Sequence, residues 1–98
     1  MFSHVVIWWT KPGAPNAADD LIAGAEKYLR TIPNVTNFHV GKMVPSDRPV
    51  VEQSYQVALN VGFANKQAQD EYQVHPSHVE FVRQCSALWE RLVVYDFE

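Results

Sequence analysis

Three side chains that can exchange protons or donate hydrogen bonds lie within seven residues, in the segment Tyr72-Gln-Val-His75-Pro76-Ser-His78. Pro76 has a fixed φ and no N–H, which suits the first position of a helix. His78 then lies in the first helical turn, where the positive end of the helix dipole disfavours imidazolium and keeps the ring neutral. A neutral imidazole near a phenol can act as a general base beside a hydrogen-bonding acid.

Each of these residues also has a structural interpretation. His78 either abstracts a proton next to a carbonyl that Tyr72 polarises, or it packs at the helix start with Tyr72 as its hydrogen-bond partner. His75 precedes a proline and is therefore extended, which favours a structural role for its ring at the end of the preceding segment. His4 lies between apolar strand neighbours, and it is either a satisfied core histidine or a polar group of a pocket.

The same segment disfavours a metal site. His75 and His78 are three residues apart, but Pro76 interrupts the helix between them, and Glu80 would point to another side. Cys85 is the only cysteine, which excludes an internal disulfide and makes a cytoplasmic location the default expectation. We therefore expect no metal and no cofactor.

Composition and charge predict one globular domain over residues 1–98. Hydrophobic residues make up 47% of the chain and charged residues 19%, which is typical of a packed core rather than of disorder. The net charge is −3 and the eight Lys and Arg are scattered, so we expect no binding to nucleic acid or to a membrane surface. The longest apolar run has five residues, far too few for a membrane-spanning helix.

Strand and helix patterns alternate along the chain in the order β-α-β-β-α-β. The predicted strands are residues 2–10, 35–43, 55–63 and 92–97. The predicted helices are residues 17–32, 65–72 and 76–90, of which the second is a short polar segment. Residues 44–53 form a connection long enough to lie over a pocket mouth.

This order of elements predicts an α+β fold, the ferredoxin-like βαββαβ sandwich, with one antiparallel sheet and its helices on one face. Alternation in the first strand gives both faces of the sheet bulky side chains. Val5, Ile7 and Trp9 share one face, and His4, Val6 and Trp8 share the other. The face without helices would be a large exposed apolar patch. We therefore predict a homodimer whose two sheets face each other as a dimeric α/β barrel.

Five short motifs resemble those of the stress-responsive α/β-barrel (Dabb) domain family. They are His4-Val-Val-Ile, Ile32-Pro33, Gly41-Lys42, Tyr72-x-x-His75-Pro-x-His78-Val and Trp89-Glu-x-Leu-x-x-x-Asp96. The resemblance covers essentially the whole chain. It implies the dimeric α/β barrel that the two-faced sheet predicts independently.

The resemblance also implies a site. A plant polyketide cyclase of this family, which makes olivetolic acid, uses a Tyr and a His as its acid–base pair, and these match Tyr72 and His78. A pocket histidine on its first strand matches His4. The residues expected to complete a substrate-binding wall are Val6 and Trp8, on the strand face of His4, and the matched pocket positions Leu59, Val61, Phe81, Leu92 and Val94.

The sequence departs from the cyclase where that enzyme holds a long alkyl chain. The corresponding positions are smaller or more polar, namely Leu21, Ile22, Ala25, Lys66, Gln69 and Gln73. We therefore expect a protein that binds a small molecule, with cofactor-free acid–base chemistry, cyclase-like or lyase-like, on a carbonyl compound other than the polyketide. The alternatives are a non-catalytic stress or structural homodimer and, with less support, a monooxygenase-like dimeric barrel.

Overall fold

The computed structural model describes residues 1–98 as a four-stranded antiparallel sheet with helices on one face. The strands are β1 (Phe2–Thr10), β2 (Asn37–Lys42), β3 (Val57–Phe63) and β4 (Trp89–Phe97). The helices are α1 (Ala17–Tyr28), α2 (Lys66–Val74) and α3 (Pro76–Cys85), and a 3₁₀ turn, Ser86–Leu88, follows α3. The strand order β2-β3-β1-β4 is that of the predicted ferredoxin-like α+β fold.

The pairing of β1 with β3 and β4 arranges the helix-facing side chains in three rows across the sheet. The rows are His4 with Val61 and Asp96, Val6 with Leu59 and Val94, and Trp8 with Val57 and Leu92. Burial alternates along β1 as a strand with one covered face requires. The predicted pocket residues on the sheet therefore lie on the side that the helices cover.

The core lies between this sheet face and the helices, and it includes Leu21 and Ala25 of α1 and Phe81 and Cys85 of α3. Gly24 lets α1 and α3 approach closely, because a Cβ at this position would collide with the Cys85 sulfur. Cys85 is buried and unpaired, which agrees with a packing role for its side chain. No helix is long and apolar enough to cross a membrane.

Several predicted boundaries shift, and the last helix shifts most. The helix expected over residues 76–90 ends at Cys85, because Trp89 already pairs with Thr10 of β1 as the start of β4. Helix α1 ends at Tyr28, ahead of Pro33, and the chain turns towards β2 through Asn34, whose φ is 72°. Asn16, the expected cap of α1, occupies the cap position without a side-chain cap hydrogen bond.

The opposite face of the sheet carries no helix. Its side chains on β1 and β4 are mostly apolar and include Val5, Ile7, Val93, Tyr95 and Phe97. Tyr95 is 59% exposed and Phe97 is 61% exposed. We call this surface the open face.

Candidate functional site

A cavity of about 460 Å³ lies between the helices and the sheet. Ten of its fifteen lining residues are hydrophobic, and its volume is within the range of small-molecule sites. The predicted site residues that line it are His4, Val6, Trp8, Leu59, Tyr72, His78, Phe81, Leu92 and Val94. Val61 is the exception: it is fully buried in the core beside His4 and does not line the cavity.

The break between α2 and α3 is built by His75 and Pro76. The His75 backbone N–H donates to the Tyr72 carbonyl at 3.2 Å and ends α2. Its ring Nδ1 accepts a hydrogen bond from the Ser77 N–H at 3.0 Å, so the ring caps α3 rather than binding the preceding segment as we expected. The structural interpretation of His75 holds, and the break brings the Tyr72 and His78 rings to 5.0 Å between centroids.

The Tyr72 hydroxyl is buried and has no hydrogen-bond partner. The residue is 1% exposed, and its ring makes edge contacts with Phe63, His4 and His78. Burial raises the pKa of the Tyr72 phenol far above its ordinary value, so the group stays protonated and can donate a hydrogen bond. Tyr72 is therefore not hydrogen-bonded to His78 in this structure, in contrast to the structural interpretation given above.

The His78 ring is held in its neutral form. Burial lowers the pKa of the imidazole, and the Coulombic interaction with the nearby His4 ring lowers it further. Gln69 Nε2 donates to Gln73 Oε1 at 2.9 Å, which turns the Gln73 amide nitrogen towards His78 Nε2 at 3.3 Å. An amide N–H can only donate, so His78 Nε2 accepts, and the proton of the neutral ring is on Nδ1.

His4 is both a buried residue with a polar partner and a residue of the cavity wall. Its Nδ1 lies 2.6 Å from Asp96 Oδ1, a contact that the β1–β4 register sets directly. Asp96 lines the cavity and was not among the predicted site residues. Strand alternation could have predicted this position of Asp96, because Asp96 shares the face of Leu92 and Val94. No group of three or more His, Cys, Asp or Glu side chains is arranged to hold a metal ion.

The other end of the cavity is aromatic. The ring centroid of Trp8 lies 6.0 Å from that of Phe81 and 5.9 Å from that of Trp89. Trp89 was not predicted to belong to the site, because the helix was expected to continue through it. The Trp8 Nε1 atom is buried without a partner. Gln69 and Gln73, which the resemblance placed at the more polar wall positions, line the cavity, and the remaining wall residues that were not predicted are Leu29 and Val82.

Comparison with known proteins identifies the family. The profile of the Stress Responsive A/B Barrel Domain (Dabb) matches residues 2–98. The chain belongs to this family. It is 30% identical over 96 residues to stress-response A/B barrel domain-containing protein HS1 of Arabidopsis thaliana, covering 97% of this chain and 86% of that protein. The family that the motifs indicated is thereby confirmed.

Solved structures show the same fold. An Arabidopsis thaliana protein has a TM-score of 0.82 at 29% identity, covering 100% of this chain and 94% of that one. A dimeric ferredoxin-like protein of unknown function from Thermobifida fusca has a TM-score of 0.78 at 18% identity, over 98% of this chain and 88% of that one. A hydroxynitrile lyase from Passiflora edulis has a TM-score of 0.76 at 19% identity, over 98% and 90%. The predicted fold is confirmed.

Proposed function

We propose that the cavity binds a small carbonyl compound, on which His78 and Tyr72 perform cofactor-free acid–base chemistry of the cyclase or lyase kind. The observation that carries this proposal is the buried Tyr72 hydroxyl without a partner on the cavity wall. A buried polar group left unpaired costs about 1–3 kcal/mol, and such groups in folded proteins are rare. A ligand oxygen that accepts from Tyr72 would recover this free energy.

The two rings divide the chemistry between them. The Tyr72 O–H donates to the carbonyl oxygen, and this hydrogen bond strengthens as negative charge develops on that oxygen. Once the Gln73 amide no longer donates to His78 Nε2, this nitrogen takes a proton from the carbon next to the carbonyl. The imidazolium returns the proton in the next step. The high pKa of Tyr72 keeps its proton in place, so the phenol acts by hydrogen bonding and His78 moves the proton.

The rest of the cavity wall would orient the ligand. Asp96 fixes the His4 ring through Nδ1, which leaves Nε2 available for a hydrogen bond with a ligand hydroxyl. The apolar row of Val6 and Val94 would hold the hydrocarbon part of the molecule. The hydroxynitrile lyase, at 19% identity, supports only the compatibility of this fold with lyase chemistry.

We further propose that residues 1–98 form one domain of a cytoplasmic protein and that two copies associate through the open face. The exposure of Tyr95 and Phe97 supports the homodimer, as do the dimeric relatives of the same fold. The one sheet and its one hydrophobic core support the single domain over these residues, and the lone cysteine supports the location.

A non-catalytic homodimer is the second candidate, and the exposed apolar side chains of the open face favour it. The Tyr72 oxygen is closed off from solvent, so a ligand must displace a neighbouring side chain to reach it. If none is displaced, the open face alone would be functional.

Calorimetric titration with 2-acetylnaphthalene, a flat aryl ketone, tests the proposed site. Tyr72→Phe should weaken binding about tenfold, the value expected for one hydrogen bond to a buried donor, and His78→Ala should also weaken it. Val79→Ala is the matched control, because Val79 is the next residue of α3 but lies outside the cavity. Equal binding to all four proteins would refute the roles of Tyr72 and His78, and no binding to any would refute the ligand class.

A further inference from the structure

Trp8 provides a second buried donor without a partner. Its indole nitrogen has no hydrogen-bond acceptor, although the residue is only 2% exposed and lines the cavity. The neighbouring Trp9 differs, because its Nε1 donates to the Ser54 hydroxyl at 3.0 Å on the other side of the sheet. Buried indole N–H groups usually have a partner, so the unpaired one at Trp8 marks a place where an acceptor is missing.

Trp8 and Tyr72 lie at opposite ends of the cavity. The Tyr72 ring is 5.8 Å from that of His4, in the row that ends at Asp96. Trp8 lies four residues further along β1, which corresponds to about 13 Å at the rise of an extended strand. The row between the two ends is apolar, with Val6 opposite Val94.

A continuous series of rings connects the two ends. The centroid distances are 5.0 Å from Tyr72 to His78, 6.3 Å from His78 to Phe81, and 6.0 Å from Phe81 to Trp8. Ring surfaces in series favour a flat conjugated ligand, which can stack or make edge contacts along its whole length. The cavity wall contains no Lys or Arg that would favour an anionic ligand, and its one carboxylate, Asp96, already contacts His4 Nδ1.

We propose that Trp8 determines the specificity of this cavity by donating its indole N–H to a second carbonyl oxygen, at the far end of a flat aromatic ligand whose reacting carbonyl lies at Tyr72. The inference rests on the proposed function and names its substrate class: neutral aromatic compounds with carbonyl oxygens at both ends. The indole nitrogen is buried, so such a ligand must displace a side chain beside it. Leu92, the β4 partner of Trp8, lines the cavity at this end and is 41% exposed.

Two matched probes test this assignment. 2,6-Diacetylnaphthalene carries a carbonyl at each end, and 2-acetyl-6-ethylnaphthalene has nearly the same shape without the second oxygen. The native protein should bind the diacetyl probe about tenfold more tightly. Trp8→Phe should abolish this preference, whereas Trp9→Phe, which removes the neighbouring indole on the open face, should retain it.

An NMR measurement on the native protein gives a second readout that does not depend on the folding of a variant. The chain has three indole N–H signals, from its three Trp residues, and triple-resonance assignment of the native protein identifies that of Trp8. This signal should move downfield with the diacetyl probe and stay nearly unchanged with the ethyl probe. Equal affinities and equal shifts for the two probes would overturn the role of Trp8 while leaving the proposed function intact. Failure of both probes to bind would overturn both.

Discussion

The two faces of the sheet carry different kinds of side chain. On the helix-covered side the cavity combines an apolar wall with polar groups, and two of its donors, the Tyr72 O–H of α2 and the Trp8 Nε1 of β1, have no partner. On the open face Tyr95 and Phe97 are largely exposed, and the one indole nitrogen there, that of Trp9, is already hydrogen-bonded. Unpaired donors beside a cavity suit a small ligand, whereas an apolar surface with satisfied polar groups suits another protein chain.

The largest expected effect separates the open face from the cavity. Tyr95→Glu places a charge in the centre of the proposed dimer contact, where its desolvation is unfavourable, and should convert the dimer to a monomer. Light scattering would then report the 11.2 kDa chain mass for the variant and twice that for the native protein. Val79→Glu is the control, since Val79 is 57% exposed but lies on α3, away from this face. A native protein that is monomeric at micromolar concentration would contradict the homodimer.

The next prediction compares two histidines on the helix-covered side, His75 with a structural role and His78 with a role in ligand binding. His75→Ala removes the ring that caps α3 and should lower the free energy of unfolding by about 1 kcal/mol, the usual value for a lost cap. Binding of 2-acetylnaphthalene should change little, because His75 does not line the cavity. His78→Ala should show the opposite pattern. Urea denaturation and calorimetric titration of both variants measure the two effects, and loss of binding in His75→Ala would break the distinction.

A smaller effect follows from the depressed pKa of His78. A histidine in the unfolded chain titrates near pH 6.5. Below about this pH the unfolded chain binds a proton at His78, whereas the folded protein, in which the pKa of His78 is lower, does not yet bind it. This contribution to stability is present above pH 6.5 and is lost as the pH falls through the lower pKa of the folded state. The unfolding free energy of the native protein should therefore fall more steeply between pH 7 and pH 5 than that of His78→Gln. Parallel profiles would argue against the burial of His78.

The smallest effect concerns Gln73. Its amide donates to the neutral form of His78, so Gln73→Leu should raise the pKa of the imidazole. The other groups near this ring are Tyr72, His4 and, through His4, Asp96, and they remain in the variant. An NMR titration of the His78 ring protons measures the shift. Gln67→Leu is a matched control on the exposed surface of α2, and an equal response in both variants would show that the Gln73 contact has no role.

The sequence was sufficient for the features that depend on local pattern. Alternation in β1 predicts which side chains share the face of His4, and the constraint of Pro76 predicts the helix break that separates Tyr72 from His78. Both follow from backbone geometry over a few residues. The burial of Trp8 and the outward position of Trp9 follow from the same alternation.

What the sequence left out depends on contacts between distant segments. Trp89 begins a strand because it pairs with Thr10, which helical periodicity along the chain does not reveal. Asp96 enters the site through its register with His4. The orientation of the Gln73 amide depends on Gln69, and it emerges only when α2 is folded beside α3.

The central claim is that His78 moves a proton on a carbonyl compound bound at Tyr72. The most direct measurement is the exchange of the methyl-ketone hydrogens of 2-acetylnaphthalene for deuterium, followed by proton NMR in D₂O. The native protein should accelerate this exchange, and His78→Ala should lose at least about a hundredfold of the acceleration, the lower value for a general base. If the ketone binds and its hydrogens exchange equally fast with native protein, with His78→Ala and with no protein, the cavity binds without catalysing and the account is contradicted.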